Sequence, residues 1–336
     1  MKKSIILFTF FILVTFNSNA QQVSAYQAGA YQPGIMNVRD LVAAESQGII
    51  FIDYNYWNSS DGYYDINGDK IESLTIGSSI LNLETNISGY INVPVFYYAT
   101  DLKILGGRYA VSVAPTILSS NVLTNIHTEN NEVISTNNTN GFGDLAFSPL
   151  GLSWAKDKFD VTFTYTAYAP VGKYKTGADD NIGKGYWTHQ FQTPFYLYFK
   201  EKATAFFLMP TFEMNGQVKD SDVRPGNRFT VEYGASQYVT SWLELEILNG
   251  HNWQVGDDKG DDVWWKNTQL YDKDKTSTVS FGVGAWPWAG RLNTRLKYAM
   301  DYGTKQRYKS NFWSFSFLYI PNLFTGKNRA TENPEG

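Results

Sequence analysis

Hydrophobic and polar residues alternate almost without a break along residues 159–168, which read FDVTFTYTAY. Phe159, Val161 and Phe163 fall on one side of an extended chain, and Asp160 and the intervening threonines fall on the other. A period of two predicts a β-strand. Its apolar side suits either the core of a soluble sandwich or the lipid around a membrane barrel, so the rest of the chain has to decide between them.

Segments of this kind recur along most of the chain. We predict strands at 48–58, 86–99, 104–117, 144–155, 159–170, 185–200, 203–216, 227–238, 240–253, 276–286, 291–303 and 310–320. Twelve is an even number, as in transmembrane β-barrels, and the uncertain boundaries allow about 10 to 14 strands. The predicted fold class is therefore all-β, with an antiparallel transmembrane β-barrel over residues 48–320.

The links between these strands alternate in length. Short links such as ATDLKI, AKDK and KEKA alternate with long polar ones at 59–85, 118–143, 171–184, 217–226 and 254–275. Barrels of the outer membrane have short periplasmic turns and long extracellular loops, so short and long links alternate along the chain. Nothing in a soluble sandwich requires this alternation. We therefore expect long extracellular loops, short periplasmic turns and both chain ends on the periplasmic side.

The two ends of the chain differ from the barrel. Residues 1–20 have two lysines, an apolar run from Ile5 to Phe16 and a small residue at position 20, which is the layout of a signal peptide. The apolar run is shorter than the roughly twenty residues of a spanning helix. Residues 21–47 are predicted to be a periplasmic or plug segment, and 321–336 to be a tail. The predicted location is the outer membrane of a Gram-negative bacterium, after cleavage of the signal peptide.

Composition agrees with a membrane barrel. Aromatic residues make up 16% of the chain, while the mean hydropathy is only −0.32. The formal net charge of −4 becomes −6 once Lys2 and Lys3 leave with the first twenty residues, so the chain offers no basic surface for nucleic acid. It contains no cysteine, which excludes a disulfide scaffold. We expect a monomer in contact with outer-membrane lipid, the assembly machinery of that membrane and a small-molecule substrate.

Charged residues within strands indicate which side faces the lumen. A lipid-facing Arg or Lys near the bilayer midplane would cost about 2–4 kcal/mol, so these side chains should point inward. Space beside Asn293 and along 276–284 favours an open lumen, although a closed barrel filled with salt bridges fits the same pattern. The candidates for a pore lining are Arg291, Arg295, Lys297, Glu244, Glu246 and Asp160.

One block of the sequence is more specific. The stretches GFGDLAFSPLGLSW, APVGKY and NIGKGYW follow one another from residue 141 to residue 187. In order and spacing they resemble the outer-membrane transporter family named for the meta-pathway of phenol degradation, and the resemblance covers most of residues 26–320. The matching residues are Gly141, Gly143, Asp144, Pro149, Trp154, Pro170, Gly172, Tyr174, Gly183, Gly185 and Trp187. Val171 differs from the threonine that the family usually has between proline and glycine.

The resemblance implies a barrel that passes small hydrophobic or aromatic molecules across the outer membrane. Most of the matching residues have structural explanations, because glycine and proline shape turns and tryptophans lie at lipid interfaces. The alternative is a closed structural or adhesive barrel that binds through its extracellular loops. Conductance separates the two hypotheses.

Catalytic and metal-binding signals are weak. The three histidines, His127, His189 and His251, belong to no nucleophile elbow or zinc-binding pair. The segment DINGDKIE resembles a calcium loop, but its glycine and final glutamate come too early, which favours a solvated turn. We therefore expect neither an enzyme nor a cofactor nor a metal.

Overall fold

The computed structural model describes residues 29–76, 79–127, 132–176, 178, 181–261, 273–288 and 290–321. The predicted signal peptide, the first residues of the 21–47 segment and nearly all of the predicted tail lie outside this part of the chain. All regular structure within it is β, and no helix there is long and apolar enough to cross a membrane.

Sixteen β-segments occur in the described residues. They are β1 (Gly48–Tyr64), β2 (Ser73–Ile76), β3 (Ser79–Ile104), β4 (Gly107–Ala114), β5 (Ile117–His127), β6 (Glu132–Phe142), β7 (Leu145–Ala155), β8 (Phe159–Ala169), β9 (Thr188–Gln192), β10 (Phe195–Phe199), β11 (Thr204–Asn215), β12 (Arg228–Tyr238), β13 (Leu243–Gln254), β14 (Lys275–Trp288), β15 (Leu292–Asp301) and β16 (Arg307–Tyr319).

These segments form a closed, twelve-stranded antiparallel barrel, which confirms the predicted fold class. Three pairs of segments, β4 with β5, β6 with β7 and β9 with β10, each make one strand that is interrupted briefly, while β2 only pairs with the end of β3. The ladder closes because β1 pairs with β16 on one side and with β3 on the other. Closure leaves no free edge of the sheet in the membrane, where an unpaired backbone group would be costly.

Two of the three interruptions coincide with a proline, which cannot donate a hydrogen bond to the ladder. Pro115 and Thr116 separate β4 from β5, and Thr193 and Pro194 separate β9 from β10. Proline has no amide hydrogen to donate, so the strand bends at these points while its two halves keep neighbouring partners. The predicted strand 185–200 thus contains both β9 and β10, and the predicted strand 104–117 contains β4 with the last residue of β3 and the first residue of β5.

Short and long links alternate as predicted, but two of the long links were interpreted wrongly. Residues 59–85 and 118–143 were expected to be loops, whereas β1 extends to Tyr64, β3 begins at Ser79, and β5 and β6 form a hairpin beyond the rim. Asparagine is common in turns, but here Asn121 and Asn138 lie opposite each other and pair through their side chains at 2.5 Å. The Asn-rich composition therefore belongs to a polar hairpin.

Burial alternates along the strands. On β13, Glu244 and Glu246 are 1% and 7% exposed, while the neighbouring Leu245 and Ile247 are both 48% exposed. The outer wall is therefore apolar and the inner wall polar over most of the barrel, as expected when lipid surrounds it.

β1 reverses this pattern. Its inward side chains include Ile52, Tyr54 and Tyr56, so Asp53 and Asn55 alternate to the outer face. The Asp53 carboxylate accepts hydrogen bonds of 2.8 Å from Asn55 and, on β3, from Asn92. This mutual pairing reduces the free-energy cost of placing polar groups on the lipid side. On its other side, β1 presents an apolar stretch to the lumen.

Candidate functional site in the barrel lumen

Residues 29–47, here called the lumen segment, run through the interior of the barrel. Tyr31 and Val38 are almost fully buried, at 3% and 0% exposure, and pack against inward residues of the wall that include Tyr196, Met209 and Leu248. The barrel is therefore not an empty cylinder, because its own N-terminal region occupies part of the lumen.

Wall carboxylates accept hydrogen bonds from the backbone of the lumen segment. A segment without regular structure inside a barrel needs partners for its amide hydrogens, and inward acidic side chains supply them. Four such bonds join Tyr31 to Glu213 at 3.0 Å, Gly34 to Glu232 at 2.7 Å, Val38 to Glu246 at 3.0 Å and Ala43 to Asp160 at 3.3 Å.

A buried charge network joins the same segment to β13 and β15. Arg295 contacts Glu244 at 2.8 Å and Asp40 of the lumen segment at 3.1 Å. Arg39 reaches the other oxygen of Glu244 at 2.8 Å, and Lys297 donates to the carbonyl of Met36 at 2.7 Å. Each charge thus meets a partner, which burial in a lumen requires.

Two glycines on the intervening strand make room for this network. Glu244 and Arg295 lie on either side of Gly284, and Glu246 and Lys297 lie on either side of Gly282. A Cβ atom at Gly282 would come within 2.7 Å of the Glu246 side chain, and one at Gly284 within 3.1 Å of Arg295. Without side chains on β14, the long side chains of its two neighbours can meet above it.

The structure brings five of the six pore-lining candidates to the lumen side. Arg295, Lys297, Glu244, Glu246 and Asp160 are all at most 7% exposed and contact the lumen segment or one another. Arg295 and Asp160 also line the cavity described below, while residues 36–40 occupy the lumen beside Arg295 and Lys297, where free space was expected. Their part in a pore stays a prediction.

Arg291 lies elsewhere. It precedes β15 in the turn that contains Gly290, a residue in a left-handed conformation at φ 68°, and does not belong to the strand. Its guanidinium is stacked 4.8 Å from the ring centroid of Trp288, a residue that is 49% exposed at the short-turn rim. The strand was predicted to start too early, and this arginine is not part of the stripe.

A second charge cluster was missed by the sequence reasoning. Arg228 makes a bidentate contact with Asp274 at 2.7 and 2.5 Å, and Arg307 contacts the same carboxylate at 3.3 Å. The three residues begin β12, precede β14 and begin β16, so no local spacing connects them. One signal was available: β12, β14 and β16 run in the same direction, so residues at their starts lie at the same end of the barrel.

The residues that carry the family resemblance come together around Asp144. Its carboxylate accepts the amide of Gly172 at 3.2 Å and the amide of Lys184 at 2.9 Å. Gly172 and Gly183 approach so closely that a Cβ on either would lie under 3.0 Å from the other backbone. Asp144 thus ties the loop after β8 to the break between β6 and β7.

The remaining motif residues shape the same region or the interfaces. Gly185 has a φ of 73° and lies directly beneath the ring of Tyr174, where a side chain would clash. Trp154 donates to the carbonyl of Leu105 at 3.1 Å and covers the β3–β4 turn. Trp187 is 44% exposed on the outer wall. Gly141, Gly143, Pro149 and Pro170 lie at strand ends, in the bulge or beside the breaks of the same strands.

Lys184 is a functional candidate that the sequence did not single out. It lies in the loop before β9, and its ammonium donates to the carbonyl of Gly29 at the start of the described lumen segment. Burial is the main cause that lowers the pKa of this ammonium to about 8, and the neighbouring Glu213 carboxylate opposes the shift.

A cavity of about 760 Å³ remains between the lumen segment and the wall. Its lining reaches from Lys202 and Pro321 at the short-turn end to Leu118, Asp144 and Lys184 towards the other end. The cavity therefore follows the barrel along its length, beside the lumen segment.

The two long sides of this cavity differ in chemistry. β1 and β3 contribute an apolar side with Ile50, Ile52 and Val93, whereas β8 contributes the hydroxyl groups of Thr162 and Thr164. The apolar side follows from the reversed alternation of β1. A polar lumen is the rule in general porins, so a continuous apolar side is a specific feature of this barrel.

The calcium-like segment forms a turn. The Asp65 carboxylate accepts the amides of Asn67 and Asp69 at 2.8 and 2.9 Å, which is the arrangement of an Asx-turn. Within the described ranges, no three or more His, Cys, Asp and Glu side chains are grouped so that they could hold a metal ion.

Comparison with known families decides the relationship. The family described as "Putative MetA-pathway of phenol degradation" matches residues 64–317, well over half of the chain. The chain belongs to this family. No sequence among the curated proteins matches it.

Solved structures support the fold of this family member. The COG4313 outer membrane channel from Pseudomonas putida F1 is 15% identical, with a TM-score of 0.63 over 85% of this chain and 100% of the other. The transport unit of the autotransporter AIDA-I from Escherichia coli gives 0.45 at 10% identity over 85% and 93%, and a FadL homologue of Pseudomonas aeruginosa gives 0.39 at 10% identity over 83% and 91%. The match to the Pseudomonas putida channel shows that the chain has the fold of an outer-membrane channel.

Proposed function

We propose that this barrel passes small hydrophobic or aromatic molecules that carry a polar group, through the cavity beside the lumen segment. The observation that carries the proposal is the pair of unlike sides of that cavity. An apolar ring gains by leaving water for the side formed by β1 and β3, while a hydroxyl group finds partners on the threonines of β8.

The charge network supports the same proposal. Because Arg295 and Lys297 are paired with the wall and the lumen segment, the route does not depend on a charged rail. Instead, the network fixes the segment and so sets the width of the cavity. The lumen segment is, on this proposal, a permanent part of the channel wall.

Delivery to the membrane completes the proposal. Residues 1–20 direct export and are cleaved after Ala20, and the assembly machinery of the outer membrane inserts residues 48–320 as a monomer. The long links face the cell exterior and the short turns face the periplasm, as link length favours.

Flux through liposomes tests the transport function. A phenolic compound and a sugar of similar size are compared for the wild type, Thr164→Trp and the control Thr164→Val. The indole of Thr164→Trp should lower phenolic flux by roughly an order of magnitude, because it replaces a small side chain that lines the cavity of about 760 Å³ and takes up part of that volume. Thr164→Val keeps the volume but removes one of the hydroxyl groups that β8 offers the substrate, so it should lower phenolic flux by much less than Thr164→Trp does.

The alternative is a closed barrel that binds through its exterior, and the filled part of the lumen favours it. Under that alternative the wild type shows neither conductance in planar bilayers nor phenolic flux above protein-free liposomes. That result would reject transport.

A further inference from the structure

A second pocket lies on the outside of the barrel, at the end where the long links are. We call it the rim pocket; its volume is about 330 Å³. The residues that matter for its chemistry are Lys275, Lys305, Lys309, Tyr64, Trp253 and Tyr302.

Three ammonium groups border this pocket. Lys275 and Lys305 face each other across an isolated antiparallel bridge, with backbone hydrogen bonds of 3.1 and 2.9 Å. Lys309 places its ammonium 5.2 Å from the ring centroid of Tyr64. In the part of the chain that the structure describes, none of these three ammonium groups lies within ion-pair distance of a carboxylate. The nearby Lys273, which does not line the pocket, differs because it pairs with Asp257 at 2.8 Å.

The adjacent turn has two acidic side chains, Asp65 and Asp69, and neither lies within ion-pair distance of these lysines. Asp65 directs one carboxylate oxygen at the amides of Asn67 and Asp69, and its other oxygen accepts from the Asn67 side chain at 3.3 Å. The rim pocket is therefore a local excess of positive charge on a chain that is acidic as a whole.

The pocket lies where the apolar belt of the outer wall ends. Along β14 the outward residues run from Lys275 through Ser277 and Val279 to Phe281, so the surface changes from cationic to apolar within about 20 Å. Tyr302, which is 52% exposed, and Trp253 lie at the level of the change. Aromatic rings with polar tips prefer that level of a membrane.

We propose that the rim pocket binds a phosphate group of a phosphorylated glycolipid in the outer leaflet, of the lipopolysaccharide type. Lysines near a membrane surface attract anionic head groups, and an ammonium group is a good partner for phosphate oxygens. The rings of Tyr302 and Trp253 offer flat surfaces to the sugar, and acyl chains of the same lipid can lie along Phe281 below. The assignment rests on the long links facing the cell exterior and is independent of what the lumen transports.

Binding of defined lipids to the full-length purified protein tests this site. The variant combines Lys275→Gln, Lys305→Gln and Lys309→Gln. Its affinity for lipopolysaccharide, measured by titration with lipopolysaccharide-containing vesicles, should fall at least tenfold compared with the wild type. The same wild-type protein should bind enzymatically dephosphorylated lipopolysaccharide at least tenfold more weakly.

A matched control removes the same charge at the opposite rim. Lys156→Gln, Lys158→Gln and Lys200→Gln together change three exposed lysines of the short turns and should leave the affinity unchanged. Vesicles of phosphatidylglycerol and inorganic phosphate alone serve as the other sources of phosphate, and both should bind the wild type more weakly than lipopolysaccharide does.

Three results would overturn the assignment. They are equal lipopolysaccharide affinity of the wild type and the rim-pocket variant, an equal loss in the control variant, and phosphatidylglycerol binding as tight as lipopolysaccharide binding. The last result would show a general anionic surface at this rim.

Discussion

Replacement of Arg295 by methionine should loosen the lumen segment. Methionine keeps much of the length of the side chain but removes the guanidinium that joins Asp40 to Glu244. Both carboxylates are only 1% exposed, so the change leaves buried charges short of a partner. Breaking such a buried pair typically costs about 3–5 kcal/mol.

The lower end of that range applies here, since each carboxylate keeps at least one partner, and Asp40 also keeps the backbone amide of Asn37 at 2.8 Å. Glu244 retains Arg39 at 2.8 Å, and Asp40 retains the hydroxyl of Tyr54 at 2.6 Å. The cost falls on the contact between segment and wall, while the hydrogen-bonded ladder of the barrel is unaffected. About 3 kcal/mol corresponds to a rise of roughly two orders of magnitude in the population with the segment released.

Cysteine labelling measures that population, because the natural chain has no cysteine. Ala43→Cys introduces one thiol at a position that is 5% exposed beside Asp160. The rate of modification by a soluble maleimide should rise about a hundredfold when Arg295→Met is added. Arg291→Met is the control, since that arginine contacts Trp288 in a turn and not the segment.

Labelling at the same rate with and without Arg295→Met would refute the reasoning, and so would an equal rise in the Arg291→Met control. A further variant sharpens the test: Asp40→Asn in the Arg295→Met background removes one of the two buried carboxylates that lost Arg295 as a partner. It should recover part of the loss, with a coupling of about 1–3 kcal/mol.

Three other predictions concern topology, the lipid face and the family motif. A protease added to intact cells should cut within 118–143 and spare the turn at 155–158; the reverse pattern would invert the orientation. Phe163→Arg should impair membrane insertion, because an arginine facing lipid costs about 2–4 kcal/mol, while Thr164→Arg should insert normally. Heat-dependent gel mobility measures insertion, and equal mobility shifts of the two variants would contradict the assigned faces. Asp144→Ala should expose the loop after β8 to faster hydrogen exchange, since two amides each lose a bond worth about 1–3 kcal/mol, and unchanged exchange would speak against this tie.

The strands could be predicted because their pattern is local. A period of two over about ten residues identifies a strand, and the cost of charge in lipid tells which side faces inward, as for Glu244 and Glu246. The same reasoning failed at Arg291. The alternation of the following residues extends the predicted strand back to this position, although Arg291 lies in a turn beside the left-handed Gly290.

The contents of the lumen could not be predicted from strand patterns. A polar inward face fits water, salt bridges or another part of the chain equally well, and only the fold places Asp40 against Arg295, 255 residues later. The acceptors of the lumen segment, such as Glu213 and Glu232, lie on different strands, so no spacing relates them. One signal was available: Gly282 and Gly284 leave a strip of β14 without side chains, which indicates close packing above it.

Locking the lumen segment in place tests most directly whether the cavity beside it is the route. Gly34→Cys and Ala299→Cys would put two thiols on Cβ positions 3.4 Å apart, close to the separation in a disulfide. The φ of 85° at position 34 costs the variant about 1–3 kcal/mol, which the crosslink offsets. With the disulfide formed, phenolic flux into liposomes should stay within about twofold of the reduced protein, because the route does not require the segment to move. Flux that falls to the level of protein-free liposomes on oxidation and returns on reduction would contradict the account and show that the segment must leave the lumen.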